Sequence, residues 1–434
     1  MKRPLVIALL VIALVFVLVG IGAVLFFTLN DGFRGNSPFD VNNIPSVLEE
    51  SKTLKVDAEE PVTLTVDSAA GDVVVTGGDV DTVEVKVVMT AYDSTQARAD
   101  EEVKTIKYVI EQTGNTITLK YELPKSMNFN NNINTVDFIV TVPSETTVEI
   151  DNSSGIVDVS DVKGNVGIDG DFGDVTVENI EGALAIASSG GTIDVKSVNA
   201  DESDVKVDAD FGDITLEKVS GKDISVTSSS GTINFTDVRA AGDVLIRSDF
   251  GNTTYENGSA ESLSLDTNSG KTTVTKVNVR KELSVQNDFG DIELTQALAG
   301  SYDLHTNSGE ITIDGAKGSL KASTDFGNID IQNAKSVNLD VKTNSGTIDF
   351  SGSLGEGPHS IITDFGNVNI ALPSDAKLSV DLSTDFGNIS SDIPVTVTLS
   401  GDLEEGQQKG EMNGGGGLLT VSTNSGNISI TAIK

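Results

Sequence analysis

The sequence predicts an all-β fold: a single-stranded parallel β-solenoid (a β-helix, right-handed), with an N-terminal transmembrane helix and a small mixed β cap containing one short helix. Three observations carry this. Two glycine-ended tripeptides alternate at intervals of 18 to 21 residues through more than half of the chain. Within each interval apolar and polar residues alternate with a period of two, the signature of strands. Periods of this length mark stacked repeats rather than separate globular domains.

The first element is apolar. Met1-Lys2-Arg3-Pro4 precedes a run from Leu5 to Leu29 in which Thr28 is the one polar side chain. As a helix it would span roughly 38 Å, enough to cross a ~30 Å hydrocarbon layer with tilt. A cleaved signal peptide has a shorter apolar region and a small-residue cleavage site, so a retained anchor is expected over residues 1–29. Lys2 and Arg3 place the N-terminus in the cytoplasm and everything after Asn30 outside the cell membrane. Residues 30–53, with Pro38 and Pro45 and no sustained period, are expected to form a flexible tether.

Residues 54–150 are expected to form a β-rich cap. Val83-Glu84-Val85-Lys86-Val87 alternates as a strand, and Ser94 to Lys104 reads as a short helix. A hairpin follows, with Ile106, Tyr108 and Ile110 returning through Gly114-Asn115 to Ile117, Leu119 and Tyr121. The Asn-rich stretch from Pro124 to Asn134 reads as a loop. Such a unit would cover the terminal edge of the array, which otherwise invites another chain to pair with it.

The repeat domain is expected over residues 151–434. One tripeptide, Ser/Asn-Ser-Gly, ends at Gly155, Gly191 (where Gly190 intervenes after the serines), Gly231, Gly270, Gly309, Gly346 and Gly426. The other, Asp-Phe-Gly, ends at Gly173, Gly212, Gly251, Gly290, Gly327, Gly366 and Gly387. These glycines are the expected structural turns, with coils stacked about 4.8 Å apart. Counting alternation back through Val205, Val207 and Ala209 puts Phe211 in phase with the inward positions. Phe172, Phe211, Phe250, Phe289, Phe326, Phe365 and Phe386 are therefore expected in the core, each above a serine of the neighbouring coil such as Ser230. The alternative is an exposed aromatic row able to stack on sugars. The aspartates beside the rings, Asp171, Asp210, Asp249, Asp288, Asp325, Asp364 and Asp385, are expected to bind backbone N–H groups of the turns. A row of calcium sites is the sharper alternative, though the calcium nonapeptide is absent. Gly401 to Gly417 interrupts the repeat and reads as a loop in a closing cap, or as a mobile binding loop at the tip.

Composition then narrows the chemistry. There are 65 acidic against 29 basic residues, a net charge of −36 that disfavours nucleic acid. Without Lys2 and Arg3 the exported part keeps 27 basic residues and carries −38. No cysteine rules out disulfides and thiolate sites, and two histidines, His305 and His359, leave little for a catalytic triad. Asp-Phe-Gly is also the magnesium-binding tripeptide of protein kinases, but the catalytic and phosphate loops are missing. A Ser-x-x-Lys match at Ser203 to Lys206 lacks companion motifs. No metal, cofactor or catalytic residue is expected.

The alternating turns, as in Ser229-Ser230-Gly231 and Asp210-Phe211-Gly212-Asp213-Ile214, resemble the bacterial β-strand-repeat family of candidate adhesins, a β-helical domain of unknown function. The likeness runs from about residue 61 to 434 and includes Asp67-Ser68-Ala69-Ala70-Gly71-Asp72. It implies a β-helix, often on membrane-anchored chains, with no catalytic residues to carry over. The expected function is a membrane-anchored extracellular adhesin-like or cell-envelope scaffold protein. Its partners would be the membrane, through residues 5–29, and an extracellular protein or glycan. An envelope-stress or signalling accessory is the alternative, and a polysaccharide-active enzyme a further one.

Overall fold

The computed structural model describes residues 44–123, 133–397 and 406–433. The expected apolar span at 5–29 lies outside them. Among the described residues, no helix is long and apolar enough to cross a membrane.

From residue 146 onward the chain winds in rungs, each pairing in parallel with the next. Val166 pairs with Leu184, Leu184 with Val205, and Val205 with Ile224. A rung has three sides. In one, Val205–Phe211 forms the first side, Ile214 to Glu217 the second and Val219 to Gly221 the short third. Val205, Val207, Ala209, Ile214, Leu216 and Val219 all point inward and are buried. Their counterparts stack above and below, so one hydrophobic column runs along the rod. Two aromatic residues of that column, Phe235 and Tyr255, meet edge to face on adjacent rungs, with ring centroids 5.4 Å apart. Tyr255 needs extra room, and Gly258 supplies it: a Cβ there would collide with the phenol ring. The phenol hydroxyl donates to Val238 O at 2.8 Å, so its polar end is satisfied inside the core.

The first corner is set by the predicted glycines. Gly251 has φ of 133°, which L side chains rarely adopt, and a Cβ on it would overlap the Gly231 carbonyl oxygen of the rung below. The second corner turns through a left-handed residue. Here Asn179, Lys218, Asp237, Asn257, Lys276 and Gln296 all have φ between 52° and 57°.

Both ends depart from a simple spiral. At the start, β1 (Ile44–Lys55), β2 (Val62–Ser68), β3 (Val73–Gly78), β4 (Thr82–Asp93), β5 (Tyr108–Thr113), β6 (Thr116–Tyr121), β7 (Thr135–Pro143), β8 (Thr146–Ser154) and β9 (Val157–Ser160) share the sheet. β2 lies between β6 and β8, and β3 between β7 and β9, all parallel. The rung formed early in the chain is thus inserted beneath one formed later. β5 and β4 then close the edge antiparallel to β6 and β7, and β1 pairs antiparallel with β4. The tether expected over 30–53 is therefore corrected at its end: residues 44–53 belong to β1. α1 (Gln96–Glu102) packs on β1 and β4, with Thr95 Oγ1 capping the Arg98 N–H. The hairpin forms as expected, while the loop expected at 124–134 falls mostly outside the described residues.

The other end repeats the device. Strand Gly417–Ser425 sits between His359–Phe365 and Leu378–Phe386, so the last rung in sequence is next to last in space. Gln407–Met412 then runs antiparallel along Leu378–Phe386 and covers its edge. The part of the Gly401–Gly417 loop that is described is thus a capping strand.

One substitution tests the corner. Gly251→Ala should destabilise the rod by about 3 kcal/mol or more, because it combines a forbidden φ with a backbone collision. A denaturation midpoint close to the unaltered chain would count against the close-packed corner.

Candidate functional site

The seven Asp-Phe-Gly phenylalanines are not in the core. Phe250 is 63% and Phe386 79% exposed, and Phe172, Phe211, Phe289, Phe326 and Phe365 lie between. The alternation used to place them inside holds through Ala209 and then stops. Asp210 and Phe211 are both exposed, two outward residues in succession, because the chain turns there into Gly212. Period-two counting fails at a corner, where the pleat is interrupted.

The predicted pairing of large with small is nevertheless present, on the outside. Phe211 stands beside Ser230, Ser230 beside Phe250, and Phe250 beside Ser269. The ladder continues through Phe289, Ser308, Phe326, Ser345, Phe365, Ser425 and Phe386. Phenyl rings thus recur every second rung, about 10 Å apart.

A polar column runs alongside. Asp249 accepts from Asn268 Nδ2 at 2.7 Å, Asp288 from Asn307 at 2.8 Å and Asp325 from Asn344 at 2.8 Å. Asn424 likewise donates to Asp364 at 3.3 Å. These aspartates were expected to hold backbone N–H groups, and that expectation is corrected. The task falls to the residue after the Asp-Phe-Gly glycine at six of the seven corners. Asp174, Asp213, Asn252, Asp291, Asn328 and Asn367 each accept a main-chain N–H from the next rung, at 2.7 to 2.9 Å. Thr192 gives Asp174 both its N–H and its hydroxyl, which hold that carboxyl below its ordinary value.

Beneath the corner lies a row that sequence reasoning missed. Thr306, Thr324, Thr343, Thr363 and Thr423 point inward and donate to the corner carbonyls of Gly290, Gly309, Gly327, Gly346 and Gly366 at 3.0 to 3.2 Å. The signal was legible, since each stands three residues before a corner glycine. His359 is buried as well. Its Nε2 donates to Gly355 O at 3.2 Å, and its Nδ1 accepts from Leu339 N–H at 3.4 Å. That arrangement suits the neutral ring, and burial lowers its pKa. His305 instead lies on the outer surface between Ser323 and Asn307.

A second surface feature is a shallow groove of 460 Å³ on the first side, where Gly167, Ala185 and Ala187 leave space. Asp67, Asp151 and Asp169 stack beside it on successive rungs. Burial first, then the neighbouring aspartates, raise the Asp151 carboxyl. Among the described residues, no three His or acidic side chains gather as a metal-binding set.

The Toastrack DUF4097 family model matches residues 62–314 and, in a second overlapping match, residues 254–431. The chain belongs to the Toastrack DUF4097 family. The first Toastrack match begins at β2 and the second ends in the final rung, so together they cover the solenoid. No curated protein matches the chain. A crystal structure of a candidate cell adhesion protein from Clostridium sporogenes ATCC 15579 aligns over 89% of this chain and 100% of its own, at 10% identity and a TM-score of 0.22. A candidate adhesin from Bacteroides fragilis NCTC 9343 aligns over 57% of this chain and 97% of its own, at 15% identity and a TM-score of 0.36.

Two outcomes follow from these positions. Phe211→Ala should change stability by under about 0.5 kcal/mol, whereas Phe235→Ala in the core should cost about 3–5 kcal/mol. Equal losses in thermal unfolding would contradict the exposed placement. For His359, the unfolded imidazole protonates near its ordinary value of about 6.5 while the folded one resists. Its contribution is present above that value and is lost as pH falls below it. Between about pH 7 and pH 5 the unaltered chain should therefore lose more stability than His359→Leu does. Parallel urea midpoints for the two would show that the ring is not desolvated.

Proposed function

We propose that this Toastrack protein is a non-catalytic, adhesin-like rod of the cell envelope, anchored by residues 5–29 with the solenoid outside the membrane. The observation that carries the reading is the uniform face of exposed phenylalanines flanked by amides, hydroxyls and carboxylates. Large aromatic side chains held out in water cost solubility, and their regular recurrence along one face marks an interaction surface. Here they are repeated on seven rungs rather than confined to one break in the pattern. Repetition suits adhesion or scaffolding, because many weak equivalent contacts add by raising effective concentration.

The net charge of −36 supports an external position beside this face. It keeps a long rod soluble and repels other acidic polymers. The flanking Lys2 and Arg3 support the orientation.

Intact cells bearing the full-length chain test this reading. Protease added outside should remove the solenoid while the N-terminal tip stays protected, and the cells should bind envelope material better than cells lacking the chain. Protection of the solenoid from external protease would overturn the placement.

A further inference from the structure

We infer that the phenylalanine column is the binding track for an extended, uncharged β-1,4-linked polysaccharide lying along the rod axis. The inference rests on the adhesin-like reading and specifies its ligand class.

The spacing points to it. Rungs of a parallel sheet stack about 4.8 Å apart, so a ring on every second rung gives a repeat of about 10 Å. In an extended β-1,4-linked chain of hexopyranoses, successive sugars are turned over, and the same face returns every two sugars, at closely the same repeat. A binding surface for such a polymer needs an apolar platform at alternate sugars and polar partners between them. The column supplies this order: Phe250, then Ser269, then Phe289, then Ser308, each pair in cross-strand register. Beside Ser269, Ser308, Ser345 and Ser425 an asparagine from the same rung is fixed by an aspartate, as Asn268 is by Asp249. This leaves oriented carbonyl and carboxylate oxygens beside the rings to accept sugar hydroxyls.

Charge decides between occupants. The aspartates flanking the rings and the net −36 disfavour uronic-acid and phosphate-bearing polymers. They equally disfavour a second copy of this chain, although phenyl knobs and serine notches would interdigitate. A neutral sugar pays no such repulsion. Aromatic faces and sugar C–H faces pack without charge, and seven platforms let modest contacts accumulate.

Titration of the full-length chain in detergent micelles with cello- and chito-oligosaccharides of two to eight sugars tests the track. Affinity should rise steeply with length, by at least tenfold from two to six sugars. The triple variant Phe250→Ala, Phe289→Ala, Phe326→Ala should lose at least tenfold for the six-sugar ligands while keeping its circular dichroism and melting temperature. The matching triple Tyr variant should retain binding. Absence of binding at millimolar oligosaccharide, or binding unchanged in the triple Ala variant, overturns the inference. So does sedimentation showing a dimer that the triple Ala variant dissolves, which would assign the face to a second copy. If the cells still bind envelope material through these rings but not these sugars, the ligand class falls and the adhesin-like reading stands.

Discussion

The close approach of one corner glycine to the carbonyl of the next is the constraint on which the rest of the structure depends. Gly155, Gly173, Gly191 and their successors stack so tightly that a Cβ on any of them would overlap the glycine below. This packing fixes where each rung turns. It also fixes register, because the residues before and after the glycine are then held level with their counterparts. The inward threonine can donate to the glycine carbonyl, and the asparagine or aspartate after the glycine can accept from the next rung. Backbone polar groups that a turn would otherwise leave exposed or unpaired are satisfied rung by rung.

The same corner explains why the phenylalanines are outside. A strand that ran on straight would bury Phe211 above Ser230, but the turn spends two residues facing solvent. Inside, the neighbouring position is filled by small polar side chains, Ser228, Ser248, Thr267 and Thr306, which bury against the corner. The core takes its bulk instead from the second side, where Phe235 and Tyr255 stack. A large external ring is therefore not required for packing, and its regular recurrence belongs to the surface.

Much of this was legible in the sequence. The glycine period predicted the parallel rungs, and the short helix and hairpin were read from local signals that the cap preserves. The side of the chain on which Phe172 to Phe386 lie was not legible, since alternation carries no information through a corner. Nor was the intercalation of chain ends. Thr384-Asp385-Phe386-Gly387 and Thr423-Asn424-Ser425-Gly426 offer the same glycine corner and the same inward threonine. Either rung could follow Gly366 by pattern alone; the structure places Gly426 there. The alternation of phenylalanine and serine is kept by that choice, as Ser425 falls between Phe365 and Phe386. Strand β1, which lacks strict alternation, was likewise invisible and owes its form to pairing with β4.

Hydroxyl-radical footprinting of the full-length chain, read by mass spectrometry at a concentration where it is monomeric, addresses the central claim most directly. Phe172, Phe211, Phe250, Phe289, Phe326, Phe365 and Phe386 should oxidise at the rates of solvent-exposed rings, while Phe138 and Phe235 remain protected. Protection of the seven rings together with the core pair would contradict the exposed aromatic face and return those residues to the interior.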